Sequence, residues 1–464
     1  MVWSTASVAL SPSLNATPFS CSGGNGGDSL IGLKSYPSKP LVYVRRIGAS
    51  RHLSFTWLPT QNGPVTRIEW EDLGLGIRDF AIDPSQDLMA LVVAGLESDD
   101  NDGLDLVIAL RSMSENKPHP NAAQAELRAL VPFEVGTSFI QIVDDVIGVF
   151  FWVHDPGLII FNWRTGKTVV RVTDRRIPTG LYDFAFLSSR AYMITVASGR
   201  GSIEIYAFSG DVEVTLSSQQ QAQSAVQQVL PTQVAVLELP PVKPGKTVQR
   251  FTSHSGPFVG RRTPGRPFET SPDCKLHVME LSYGDQQTRF NLFVRNRYLL
   301  SYASPYIDSG ETYTSVKKSW DEWGPDHARF LPIMGRFEWL RYVHGERVIL
   351  PSLPIRRVTG TSSSARLMMT LDFNVHPKRL DDPVPFADES GATSFVQHND
   401  VPLDSTLFEA PVVSRLPFVA RLRELPAFDD GREYSGYMID HEHLIGMRSS
   451  DDLDSTVQLD VYTF

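Results

Sequence analysis

The sequence predicts an all-β chain, and three observations carry that expectation. Residues 158–172, LIIFNWRTGKTVVRV, alternate their apolar side chains over two short runs and break at Arg-Thr-Gly-Lys, the pattern of a hairpin in which Gly166 supplies a positive φ. Nearly the same run recurs as LDLVIAL at 104–110, SIEIYAF at 202–208 and VQLDVYTF at 457–464. Sustained apolar spacing at i, i+3, i+4 and i+7 is hard to find, so long helices are not expected.

Each element follows in order. Residues 1–38 are rich in Ser, Gly, Pro and Asn, and such a tract offers too little burial to offset its ordering entropy; it is expected to be a disordered tail. Short strand-like runs follow at 41–46 and 53–58, and VTRIEWEDL at 65–73 leads into the regular part. There IRDFAIDPSQDLMALVV at 77–93 reads as two strands turned at Pro84. The same hairpin logic returns at 139–151 (FIQIVDDVIGVFF), 182–198 (YDFAFLSSRAYMITVAS) and 434–448 (YSGYMIDHEHLIGMR).

After each of these hairpins comes the run noted above, so the order is hairpin, third strand, turn, fourth strand. Repeated four-stranded antiparallel units are the blades of a β-propeller, here WD-repeat-like, with seven blades preferred and six as the alternative. Irregular insertions are expected at 217–229 (Gln-rich), 255–272 (basic, with Arg261, Arg262 and Arg266) and 377–409 (acidic and disordered). FNLFVRNRYLLSYAS at 290–304 reads as a hairpin turning at Arg295-Asn296-Arg297, and WLRYVHGERVILP at 339–351 as another. The chain stops on a third strand, so residues 39–464 form one propeller only if an N-terminal strand, within 53–58 or 65–72, completes the last unit.

Composition narrows the function. With 464 residues, 42% of them hydrophobic and 10% aromatic, the chain can fill a sizeable core. A formal net charge of -10 argues against a nucleic acid as the main partner, because binding a polyanion needs a basic face. Two cysteines, Cys21 and Cys274, build neither a disulfide framework nor a four-ligand zinc site. The N-terminus lacks the basic and apolar regions of a signal peptide, and no apolar run has membrane-spanning length. A soluble monomer of the cytoplasm or nucleus, without cofactor or membrane contact, is expected.

The residues resemble a family of F-box proteins from mushroom-forming fungi. The likeness lies in LGLGIRDFAIDPSQDLMALV, LRSMSENKPHP, IQIVDDVIGVFF, IIFNWRTGK, NLFVRNRYLL, WDEWGPDHARFL, WLRYVHGERVILP, GYMIDHEHLIG and LDVYTF, in that order from residue 73 onward. The resemblance implies a β-rich domain that recruits the target of a cullin ubiquitin ligase, joined to a helical F-box that docks a Skp-type adaptor. Here Leu58-Pro59 is followed by Thr-Gln-Asn-Gly-Pro, which cannot begin an amphipathic helix. The adaptor and cullin are therefore not expected on this chain.

Candidate chemistry is sparse. Gly166-Lys167-Thr168 lacks the first glycine of a P-loop, and Ser198-Gly199-Arg200-Gly201-Ser202 reads as a tight turn that could also cradle an anion. Asp440-His441-Glu442-His443 is the densest set of potential metal ligands, but its spacing is that of a solvated turn. No metal and no catalytic residue is expected. Trp320, Trp323, Arg341, Tyr342 and His344 are the candidate partner-binding patch, since Trp, Tyr and Arg favour hot spots; the competing reading places the tryptophans between blades. The expected function is a non-enzymatic protein-interaction domain, with a propeller enzyme or lectin acting at the central channel as the alternative.

Overall fold

The computed structural model describes residues 17–20, 32–34, 42–45, 53–57, 66–70, 72–93, 104–131, 137–152, 156–172, 178–210, 230–258, 274–284, 288–309, 314–333, 342–355, 365–375, 386–387, 393–397, 403, 406–425, 434, 436–440, 443–449 and 457–463. They form an all-β fold of seven sheets. The first strand, β1 (Thr17–Ser20), belongs to the last sheet. Sheet I is β2 (Gly32–Lys34), β3 (Val42–Arg45), β4 (Leu53–Trp57) and β5 (Thr66–Trp70). Sheet II is β6 (Ile77–Asp83), β7 (Leu88–Val93), β8 (Leu104–Ser112) and β9 (Glu126–Val131). Sheet III is β10 (Thr137–Val143), β11 (Val146–Trp152), β12 (Pro156–Asn162) and β13 (Lys167–Val172). In these three the strand order is the chain order and every pairing is antiparallel.

The later sheets keep the meander and add to it. Sheet IV joins β14 (Leu181–Ser188), β15 (Ala191–Val196), β16 (Ser202–Ala207) and β17 (Thr232–Glu238); sheet V opens with β18 (Val248–Ser255), β19 (Leu276–Tyr283) and β20 (Thr288–Arg295). Helix α1 (Asn296–Ser309), β21 (Val316–Lys318), α2 (Trp320–His327) and β22 (Ala328–Pro332) follow. Strand β21 adds to sheet IV in parallel with β17, and β22 is the fourth strand of sheet V. Sheet VI holds β23 (Val343–His344), β24 (Arg347–Ile355), β25 (Ala365–Asp372), β26 (Phe386–Ala387), β27 (Thr393–Gln397) and β28 (Phe418–Leu425), with β28 between β25 and β27. Sheet VII is β29 (Gly436–Ile439), β30 (His443–Ser449) and β31 (Val457–Thr463), completed by β1 on the outside of β31.

Packing joins each sheet to the next in sequence. Leu53 and Phe55 of sheet I meet Phe80 and Leu91 of sheet II. Ile108 and Leu127 meet Val149 and Phe161 across sheets II and III, and Phe150 and Val170 meet Phe184 and Ile194 across III and IV. Val234 and Leu237 meet Met279 and Leu292 across IV and V; Val278 and Phe293 meet Val348 and Leu371 across V and VI; Ile349 and Met368 meet Tyr437 and Leu444 across VI and VII. First strands also lie side by side, β6 against β10, β10 against β14, β14 against β18, β18 against β23 and β23 against β29. Alternation in the sequence makes this two-sided burial, because the odd and even side chains of each strand serve different neighbours.

A local device repeats as well. The register shifts near the start of β6 (Ile77 to Asp79), β14 (Leu181 to Asp183) and β18 (Val248 to Arg250). In the two Asp-Phe-Ala copies, Asp79 and Asp183 each accept the N–H of the following phenylalanine at 2.8 Å.

Several expectations change. The stretch 1–38, expected to be a disordered tail, contains β1 and β2. It is β1, and not 53–58 or 65–72, that pairs with β31; the latter stretches supply β4 and β5 of sheet I. Pro18 is compatible with that place because an outermost strand has one side that needs no ladder donor. The acidic stretch 377–409 contributes β26 and β27, and β27 pairs with β28. The hairpin expected at 290–304 is a strand followed by α1, whose Leu299 and Ala303 stack at i, i+4 into the core. The candidate tryptophans Trp320 and Trp323 lie on α2, where the Glu322 carboxylate accepts the Ser319 N–H and hydroxyl, both at 2.8 Å, and fixes the first turn. The expected insertion at 217–229 and residues 259–272 lie outside the described residues.

Candidate functional site

The turn ends of sheets II, III and IV converge on one polar network. In Asp83-Pro84-Ser85-Gln86-Asp87 the Asp83 carboxylate caps the turn by accepting the Ser85 N–H at 2.9 Å, and Asp87 closes it with φ +56°. Gln86 is thereby held outward. Its amide donates to Asp83 Oδ2 and to the Asp144 carbonyl, each at 2.8 Å, so sheet II is tied to sheet III.

On sheet III the Asp144-Asp145 pair turns β10 into β11, with Asp144 at φ +50°. The second turn, Asn162 to Gly166, is closed by the Asn162 side chain, which accepts the N–H groups of Arg164 and Thr165 at 3.1 Å, and by Gly166 at φ +71°. Asn162 Nδ2 donates to Asp145 Oδ2 at 2.8 Å, and Trp163 Nε1 donates to the Asp144 carbonyl at 2.8 Å. The buried Trp163 ring meets His119 edge-on at 5.0 Å, and the exposed Arg164 guanidinium lies 5.2 Å from its centroid. Arg164 also donates to Gln86 Oε1 at 2.8 Å.

Sheet IV contributes Arg190, from the turn between β14 and β15. Its guanidinium grips Asp145 with two parallel bonds, Nη1 to Oδ1 at 2.9 Å and Nη2 to Oδ2 at 2.8 Å. Burial opposes ionisation of Asp145, but the Arg190 bonds and charge outweigh it and hold the carboxyl below its usual pKa. Asp144 is shifted the other way, by burial and by the neighbouring Asp145 and Asp83 charges. The result is a rigid base of paired charges with Arg164 and Thr165 exposed above it. Such a surface can recognise another polar surface.

The residues expected to bind a partner are elsewhere. Trp320 and Trp323 on α2 are buried between sheets IV and V, and Trp323 Nε1 donates to the Glu238 carbonyl at 2.8 Å. Tyr342 and His344 are buried near and in β23, and Arg341 lies outside the described residues. The patch is therefore corrected: the two tryptophans fill the gap between sheets IV and V, while Tyr342 belongs to the core between sheets V and VI. The two described residues of the turn expected to be solvated, Asp440 and His443, are not exposed. Asp440 and His443 are buried, the His443 N–H donates to Asp440 Oδ1 at 2.6 Å, and His443 Nδ1 lies 3.0 Å from Oδ2. His441, Glu442 and the arginines 261, 262 and 266 are outside the described residues.

The turn at 198–202 has Gly199 and Gly201 at positive φ, and the Gly201 N–H donates to the Ser198 carbonyl at 3.0 Å. Among the described residues, no group of three or more His, Cys, Asp or Glu is placed to hold a metal ion, and no helix is long and apolar enough to cross a membrane. Sequence reading missed Gln86, Asp145 and Arg190. The signal for the first was Asp-Pro-Ser-Gln-Asp itself, a turn with a long polar side chain at its tip; the Asp145 to Arg190 pair spans 45 positions and has no local signature.

No family model and no curated protein matches the chain. Among solved structures, the chain is similar to the WD40 domain of SCAP from fission yeast at 8% identity, over 97% of this chain and 98% of that one, with a TM-score of 0.37. A second is Chaetomium thermophilum Sqt1 bound to the N-terminus of a ribosomal protein, at 10% identity over 92% and 84% of the two chains and a TM-score of 0.36. The C-terminal WD40 domain of Sif2 is similar at 8% identity over 94% and 99%, with a TM-score of 0.34. Scores of this size carry no argument, and the architecture rests on the chain's own sheets.

Proposed function

We propose that the seven sheets are the blades of a closed WD-repeat-like propeller, with β1 completing the last blade, and that the chain binds a protein partner over the turn face of sheets II to IV. The observation that supports the ring is the succession of abutting first strands from β6 to β29, which a stack of separate sandwiches does not produce. The turn face is favoured for binding because Arg164 is exposed on a fixed base of Gln86, Trp163 and Asp144, so little entropy is lost when it is engaged. In the finer reading the partner is the target of a cullin ubiquitin ligase, a role that the resemblance to F-box proteins supports.

Capture of the tagged chain from its native cells tests both levels. Arg164→Glu is expected to lose a partner that the wild type and Arg347→Glu, an exposed change on sheet VI, both retain. Identical capture by all three chains would contradict the turn-face reading. Adaptor and cullin subunits in the wild-type capture support the ligase role, and a partner captured without them removes it.

A further inference from the structure

One face of sheet V carries donors that nothing among the described residues uses. In the pairing of β18 with β19, Arg250 stands opposite Ser282 and Thr252 opposite Glu280. Directly opposed residues of an antiparallel pair share a face, so these four side chains form one patch. Strand β20 extends it with Arg289 opposite Ser282. On the same face Val278 and Phe293 pack against sheet VI, so the patch looks into the junction between sheets V and VI.

Thr252 Oγ1, Ser282 Oγ and Arg250 Nε are all buried without a hydrogen-bond partner, and Thr252 and Ser282 are only 7% and 2% exposed. The carboxylates nearby are already committed. Glu280 is paired with Arg289, and Asp183 accepts the backbone N–H groups of Phe184 at 2.8 Å and Ser253 at 2.7 Å. Among the described residues Arg250 therefore has neither an ion pair nor a hydrogen bond, although its Nε is out of solvent. Keeping a guanidinium nitrogen and two hydroxyls unpaired out of solvent is costly, so a group that pairs with all three at once is favoured there.

The donor set defines that ligand. A cation is repelled by the guanidinium, and an apolar group leaves all three donors unpaired. A water can bridge the two hydroxyls, but it gives the guanidinium no hydrogen-bonded anion; the Asp183 carboxyl acts on Arg250 only through space. We propose that the Arg250, Thr252 and Ser282 side chains form an oxyanion site, taking a carboxylate or phosphate group by one charge-assisted bond and two hydroxyl bonds. Arg250 is itself only partly buried, so the site opens to solvent along that side chain. This inference is independent of the partner-binding face proposed above.

The test is titration of the full chain with sodium phosphate and, separately, sodium acetate, at constant ionic strength set with chloride, reading melting temperature and heat of binding. The melting temperature is expected to rise and saturate with at least one of the two. Response to phosphate alone assigns a phosphate group, and response to acetate assigns a carboxylate. Arg250→Gln is expected to weaken binding roughly tenfold or more, and Thr252→Val to weaken it less, with Arg347→Gln unchanged. No response to either anion beyond chloride, or an unchanged affinity in Arg250→Gln, would overturn the site. If Arg250→Gln does not fold, crystals of the wild type soaked in selenate decide it. An anomalous peak within hydrogen-bond distance of Arg250 and Ser282 supports the site, and water alone there refutes it.

Discussion

Replacing Trp163 tests whether the turn of sheet III is clamped from within. The indole is fully buried among Leu110, Leu127 and Phe161, it meets His119 edge-on, and its Nε1 donates to the Asp144 carbonyl at 2.8 Å. Trp163→Ala removes the ring and leaves a cavity, which costs about 3–5 kcal/mol for a large aromatic. Trp163→Phe keeps most of the volume and loses chiefly the hydrogen bond, about 0.5–1.5 kcal/mol. The larger penalty of an orphaned acceptor does not apply, because Gln86 Nε2 still donates to the same carbonyl. Urea unfolding followed by far-UV circular dichroism is the assay, since it does not depend on the indole removed. The midpoint is expected to fall in the order wild type, Phe, Ala, with the slope unchanged. An alanine variant with the wild-type midpoint would refute the clamp, as would a phenylalanine variant as unstable as alanine.

Three further outcomes are expected. Gly148→Ala places a Cβ 2.8 Å from the Phe186 ring between sheets III and IV, so it should destabilise by about 1–3 kcal/mol; a neutral melting curve contradicts that packing. His277 is buried and its pKa is lowered to about 3 by burial and by Lys275. The unfolded chain takes up a proton near pH 6.5 that the folded one refuses until about 3, so between those values His277 lowers stability by up to ~1.4 kcal/mol for each unit the pH falls. Asp183, raised to about 7 by burial, acts in the opposite sense, which makes the difference between wild type and His277→Gln the quantity to measure; an identical pH slope for the two counts against the buried imidazole. Finally, Phe19 and Leu459 are register partners on β1 and β31, so cysteines at those positions, in a Cys21→Ser, Cys274→Ser background, should form a disulfide under mild oxidation. Reduced thiols after that treatment would contradict the pairing.

What could be read from the sequence depended on how local each determinant is. The hairpin of β12 and β13 was legible because alternation and Gly166 both lie within fifteen residues. Hairpin starts at 77, 139, 182 and 434 were legible for the same reason and fall within two residues of β6, β10, β14 and β29. The helices were not legible although α2 carries Ser319-x-x-Glu322, a helix-start signature, because α2 has only eight residues with Gly324 and Pro325 among them, and α1 holds Pro305. Burial of Trp320 and Trp323 is set by Glu238 and by sheet V, which are distant in sequence. Strand β1 has four residues, one of them Pro18, in a Gly and Ser rich tract; only its partner β31 makes it a strand. The turn-face network was illegible as a unit since Gln86, Asp145 and Arg190 meet only when three sheets stand side by side.

The ring itself is the claim on which the rest depends, and electron cryo-microscopy of the full chain viewed along its short axis tests it directly. Seven radial densities around a central hole are expected, with the β1 strand on the outer edge of one of them. An open crescent, or two separate lobes, would contradict the closed propeller.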